Sequence, residues 1–194
     1  MPVNTKKILL LSDSHGNIPA LTAILRWAKD YEPDSAVFLG DGVADVPKAA
    51  LAAGFSCEWH MVRGNNDWGS SVPESAVFEC GGHTFFICHG HRFGLHWGDL
   101  HSFIAAARNN GAHVALFGHT HAAYCKQYDE LLLVNPGSIS RSRGRIGESF
   151  AVIECSPGMA DGRADGMADG RVADAPPKVC FLGIDSRRNI TELK

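Results

Sequence analysis

The chain has 194 residues, 45% of them hydrophobic and 20% charged, with a formal net charge of -3 when histidine is counted as neutral. That length supports one domain with a sizeable core, and the nearly balanced charge argues against a broad nucleic-acid or membrane surface. The apolar run at 8–11 is too short for a signal-peptide core and no run is long enough to span a bilayer, so the expected location is cytoplasmic.

Residues 7–12 read as a buried strand that gives way to Asp13-Ser14-His15-Gly16-Asn17. A helix is predicted over 18–29, because Ile18, Leu21, Ile24, Leu25 and Ala28 share one face and Pro19 suits a first turn. The next strand, 35–39, closes at Gly40-Asp41-Gly42. A second helix covers 45–53, with Gly54 placed to end it. A third strand, 58–62, runs into Arg63-Gly64-Asn65-Asn66-Asp67. This β-α-β-α-β order predicts a largely parallel sheet covered by helices. Ligands of such sheets collect beyond the carboxyl ends of the strands, where Asp13, Asp41 and Asn65 fall.

The second half changes character. Runs at 76–79 and 84–88 flank Gly81-Gly82, a hairpin signal, and the second run delivers His89. A helix is expected over 97–110, stopped by Gly111. The apolar run 113–117 reads as a strand ended by Gly118, with His119-Thr120-His121 beyond it. On extended backbone, residues i and i+2 point the same way, so both imidazoles are predicted to enter one space. A hairpin over 122–128 and 131–134, a turn at 135–138, and a last strand pair at 149–154 and 178–182 complete the chain. Between that last pair, Met-Ala-Asp-Gly-Arg occurs at 159–163 and again at 167–171. A segment so poor in large apolar residues cannot offset its ordering entropy. The stretch 159–177 therefore reads as an expanded, mobile loop inserted into a single domain spanning 1–194; its spacing does not match an EF-hand.

Taken one at a time, the polar residues at these strand ends have ordinary explanations. Asp13 or Asp41 could cap a helix, Asn65 could shape a turn, and His89 could be a satisfied core histidine. Taken together they form five stretches: D-x-H at 13–15, G-D at 40–41, G-N-x-D at 64–67, H-G-H at 89–91 and G-H-x-H at 118–121. Such convergence is what a built metal site looks like. Carboxylate, imidazole and amide donors without thiolate suit manganese, iron, nickel or zinc. The cysteines at 57, 80, 88, 125, 155 and 180 are scattered without a C-x-x-C pair and read as free structural thiols.

In this order and spacing the five motifs resemble the calcineurin-like metallophosphoesterase superfamily, and most of all its small, single-domain bacterial and archaeal phosphodiesterases. The resemblance covers about 8–138. It implies a four-layer αββα sandwich of two mixed β-sheets flanked by helices. It further implies a divalent-metal-dependent phosphoesterase, foremost a phosphodiesterase, acting on a small phosphoester through a metal-bridging hydroxide. Two cations are expected, manganese first, with nickel, iron or zinc as alternatives. Asp13, His15 and His121 would hold one; Asn65, His89 and His119 would hold the other; Asp41 would bridge them.

Asp67 keeps the family's carboxylate and would orient a neighbouring ligand, while His91 would either face the same cavity or stand at the surface. Asn66 departs from the pattern, since much of the superfamily has His there. An amide can hydrogen-bond a phosphate oxygen but cannot supply a proton. Among Arg141, Arg143 and Arg145, Arg143 is the expected phosphate contact, with a solvated basic loop as the alternative. Trp59, Trp68 and Trp97 are expected to pack in the core, or else to wall the cleft. His60, His83, His96, His101 and His113 receive no role. The contrasting reading is a non-catalytic metal-binding or protein-interaction scaffold of the same fold. No membrane partner is expected, nucleic acid is disfavoured, and homo-oligomers are left open.

Overall fold

The computed structural model describes residues 5–156 and 176–193. In chain order these form β1 (Lys6–Leu11), α1 (Ile18–Tyr31), β2 (Ser35–Phe38), α2 (Val46–Ala53), β3 (Glu58–Met61), β4 (Ser75–Cys80), β5 (His83–Cys88), α3 (His101–Asn109), β6 (Val114–Phe117), β7 (Ala123–Tyr128), β8 (Leu131–Pro136), β9 (Ser149–Cys155), β10 (Lys178–Ile184) and β11 (Ile190–Glu192). One sheet has the strand order β11-β10-β9-β1-β2-β3, and the other β4-β5-β6-β8-β7. The proposed loop at 159–177 lies, except for its last two residues, outside the described residues.

Strand alternation builds the layers. In β1, Ile8 and Leu10 point between the sheets, where they meet Phe85, Ile87, Val114 and Leu116. Leu9 and Leu11 point the other way, onto Leu21, Ile24, Leu25 and Ala28 of α1. All four β1 residues are fully buried, as expected of a strand covered on both faces. On the far side of the second sheet, Phe86, Ala115, Phe117 and Leu133 pack against Phe103 and Ala107 of α3. The result is the αββα sandwich of two mixed sheets. Asn17 caps α1 by accepting the Ala20 N–H at 3.2 Å, and the helix ends at Glu32 in the left-handed conformation.

Several expectations are corrected. The sheet built on β1-β2-β3 is parallel only there; β9 runs antiparallel to β1 and carries β10 and β11 with it. Nothing local in residues 149–155 specifies that they pair beside β1. The helix expected from 97 begins at His101. Gly98 adopts φ +77, which a right-handed helix cannot include, and Leu95–Trp97 forms a single 3₁₀ turn instead. The expected turn at 135–138 starts late, because β8 continues to Pro136, which pairs with Ala123 at the strand end. Trp68 and Trp97 are 89% and 90% exposed, so neither packs in the core, whereas Trp59 is half-buried against the α1–α2 layer.

Truncating the inter-sheet layer is expected to be costly. Leu10→Ala should lose about 2–5 kcal/mol, while Leu51→Ala, at a site 86% exposed, should stay within about 0.5 kcal/mol. Urea unfolding of both variants measures the contrast.

Candidate metal centre

Each candidate ligand sits just past the end of a strand, and the backbone there is unusual. Asp13, His15, Asp41, His119 and His121 all have φ between +45 and +65. Non-glycine residues in this left-handed region cost of order 1–3 kcal/mol each and collect at functional sites. This corrects the extended geometry expected at 119–121. The two imidazoles do not share one direction. The His121 ring lies 4.9 Å from that of His15, whereas the His119 ring lies 5.0 Å from that of His89 and 6.1 Å from that of His91.

Close backbone approach explains the glycines beside these ligands. A Cβ on Gly40 would fall 2.4 Å from the Gly64 nitrogen, and one on Gly64 would fall 2.2 Å from Asp41 Oδ1. The G-D and G-N motifs therefore touch, and neither glycine can be replaced without moving a ligand loop.

Asp13 is fully buried. Its Oδ2 accepts from the Ser12 hydroxyl and from the His119 N–H. Its Oδ1 is buried without a hydrogen bond and faces three imidazole nitrogens: His121 Nε2 at 3.1 Å, His15 Nε2 at 3.7 Å and His89 Nε2 at 4.0 Å. Asp41 Oδ2 lies 3.5 Å from His89 Nε2 and 3.8 Å from His15 Nε2. Two overlapping groups could each hold an ion: Asp13, His15 and His121, and Asp13, Asp41 and His89.

The imidazoles are aimed. His89 Nδ1 meets the Leu39 carbonyl at 2.6 Å and His121 Nδ1 meets the Arg141 carbonyl at 2.8 Å. A carbonyl only accepts, so in each ring Nδ1 carries the proton and Nε2 presents its lone pair to the centre. His89 Nε2 is buried without a hydrogen bond. Two buried, unsatisfied atoms aimed at one point, Asp13 Oδ1 and His89 Nε2, are a costly arrangement that a cation between them would resolve. The residues present thus fit a divalent metal.

Charge follows from the same packing. Burial alone would raise the Asp41 pKa, but His89 and the Asn66 N–H groups outweigh it and hold the carboxyl far below its usual range. Burial pulls His89 down, but the Asp41 and Asp13 carboxylates overcome it and leave its pKa raised. Burial wins at His15 and at His91, and both are pushed down.

The remaining predicted residues divide. Asp67 accepts four backbone N–H groups, from Asp41, Gly42, Val43 and Gly64, at 2.7–2.9 Å. It thereby pins the Asp41 loop to the Asn65 turn. Asn66 points both its backbone N–H and its amide at the Asp41 carboxylate. Asn65 is exposed on the same turn. His91 stands 5.5 Å, ring to ring, from His89, and its Nδ1 is buried without a hydrogen bond. Arg143 is exposed and joins the site by its backbone N–H, 2.9 Å from the His121 carbonyl. Of the arginines at 141, 143 and 145, Arg141 is the one whose charge reaches His15, where it adds to the lowering by burial and by His121.

Sequence reading missed the supports. Asp45 accepts the Ser14 hydroxyl and the Gly16 N–H. Ser138 donates to the Asp13 carbonyl, and Asn135 donates to the Gly118 carbonyl and to Thr120. The only available signals were position at or just past the end of β8 for Asn135 and Ser138 and at the start of α2 for Asp45, which suit a turn or capping residue equally well.

Asp67→Asn keeps the size of the side chain but turns one acceptor into a donor. Titration calorimetry with Mn²⁺ should then show affinity reduced by about 10–100-fold, the usual cost of losing a ligand-orienting partner; an unchanged affinity would mean that the Asp41 loop holds itself.

A family model described as the calcineurin-like phosphoesterase superfamily domain matches residues 7–158. A Bacillus subtilis protein named "Probable metallophosphoesterase YsnB" is 30% identical over 146 residues, 75% of this chain and 82% of that protein. The Escherichia coli protein named "Phosphodiesterase YfcE" is 28% identical over 170 residues, covering 76% of this chain and 87% of its own. A Streptococcus pneumoniae structure titled as a conserved uncharacterized protein and predicted phosphoesterase superposes with TM-score 0.71 at 25% identity, covering 92% of this chain and 90% of that one. With most of its length matched by the family model and its strand-end motifs folded into one cluster, the chain belongs to the calcineurin-like phosphoesterase superfamily.

Proposed function

We propose that the protein is a divalent-metal-dependent phosphodiesterase that holds two cations, manganese foremost, between its two sheets. One observation carries this reading: the Asp13 Oδ1 atom, buried and unpaired, faces three imidazole nitrogens while Asp41 stands beside two of them. Asp13, His15 and His121 would form one ligand set and Asn65, His89 and His119 the other, with Asp41 between. Cations bound there would activate water and offset charge on the phosphoryl oxygens.

The chain's own residues supply the rest. Asp67 fixes the Asp41 loop, and the carbonyls of Leu39 and Arg141 fix two imidazoles. Arg141 and Arg143, on one loop at the rim, would draw in an anionic phosphate. Water adds to phosphorus as the P–O bond to the leaving group breaks. That oxygen then needs a proton or must depart as an anion. Asn66 has none to give. His91 could stand near the departing oxygen. Six free thiols support a reducing, cytoplasmic setting, and no described helix is long and apolar enough to cross a membrane.

Asp41→Asn should lose one or both metals by elemental analysis and most hydrolysis of bis-p-nitrophenyl phosphate; full metal content at normal turnover would overturn the two-cation reading. A leaving-group series supplies a separate check. Rates should fall steeply from aryl to alkyl diesters, and Asn66→His should flatten that slope by supplying a proton donor. Equal aryl and alkyl rates in the natural protein would overturn this, since they require a proton donor that Asn66 is not.

A further inference from the structure

Beside the metal centre lies a cleft of about 650 Å³ that the chemistry above does not use. One wall is α2 and the turn before it, with Val43, Val46 and Pro47; Trp59 and Met61 form the floor. The facing wall is the 66–71 turn, which carries Trp68. That indole is 89% exposed, although a tryptophan with no partner would ordinarily gain by burial. The inner end of the cleft is polar. Asn66 and Asp67 line it, and both hydrogen-bond the Asp41 residue, at its carboxylate and its N–H respectively. Two adjacent residues therefore line the cleft and hold the Asp41 loop of the candidate metal centre. A mostly apolar cavity with a few polar groups at one end is the form of a small-molecule site.

We propose that this cleft receives a flat aromatic group attached to the phosphate, stacked on the Trp68 indole while the phosphate sits at the metal centre. This deepens the phosphoesterase reading and rests on it. The occupant is argued from shape and chemistry. The α2 wall and the floor are apolar and Trp68 offers a broad ring face, so an aryl group or a nucleobase fits between them, with Asn66, Asp67, Ser70 and Ser71 as the polar part of the lining. A ring stacked there also covers one face of the exposed indole. The same choice suits Asn66, since an aromatic alcohol leaves without a proton more readily than an alkyl one.

The test uses stable ligands, so its outcome does not depend on turnover. Titration calorimetry on the Mn²⁺-loaded protein compares phenylphosphonate with methylphosphonate, and uridine 5′-phosphate with ribose 5-phosphate. Each pair differs by the ring alone. Stacking of this kind contributes about 1–3 kcal/mol, so at least one ring-bearing ligand should bind roughly 10-fold tighter than its partner. The pair showing the preference distinguishes an aryl group from a nucleobase. Trp68→Ala should collapse the ratio towards one; the residue is exposed, so the variant should fold. Equal affinity within both pairs, or a preference that survives Trp68→Ala, overturns the assignment. Hydrolysis without ring preference would remove the cleft proposal alone. Ring preference without hydrolysis of any diester would remove the catalytic reading and keep the cleft.

Discussion

Burying a carboxylate without a counter-charge costs several kcal/mol, and this protein buries two within one cluster, Asp13 fully and Asp41 almost so. The surroundings show how that cost is met. Asp13 gives one oxygen to a hydroxyl and a backbone N–H and leaves the other facing imidazoles. Asp41 accepts from Asn66 and stands beside His89 and His15. Among the described residues, the charged partners of the two carboxylates are imidazoles, not Lys or Arg. A cation held by these residues would supply the compensation and would tie the stability of the region to metal binding.

This constraint reaches into the backbone. Bringing five strand ends to one point requires turns too tight for ordinary φ values, so five candidate ligands sit in the left-handed region. Holding such turns needs fixed partners. Asp67 supplies them for the Asp41 loop, Asp45 for the 14–16 loop, and Ser138 and Asn135 for the 13 and 118–120 loops. The supports lie on elements other than those they hold. The three apolar layers keep the strand ends in place, and the loops convert that rigidity into ligand geometry.

The turn that follows β3 also faces outward. Asn66 and Asp67 serve the centre on one side and line the apolar cleft on the other. A change in the 66–71 turn therefore acts on the cleft lining and on the Asp41 loop at once.

Much of this was legible in the chain because its signals are local. Alternation in 7–12, the helical stripe of 18–28 and the glycines after strands depend only on neighbours in sequence, and they placed the elements that carry Asp13, Asp41 and His89. The chemistry of the donors, oxygen and nitrogen without thiolate, was likewise fixed by residue type. What the sequence could not decide is anything set by contacts between distant segments. The pairing of β9 beside β1 joins residues more than 140 positions apart. The exposure of Trp68 depends on a turn whose far wall is α2. His119 and His121 meet different rings because both adopt left-handed backbone, where the i, i+2 rule for strands fails. Their partners, His15 for His121 and His89 for His119, were grouped with them by the family resemblance and not by any local periodicity, because these ring contacts form only when two sheets pack face to face and bring their strand ends together.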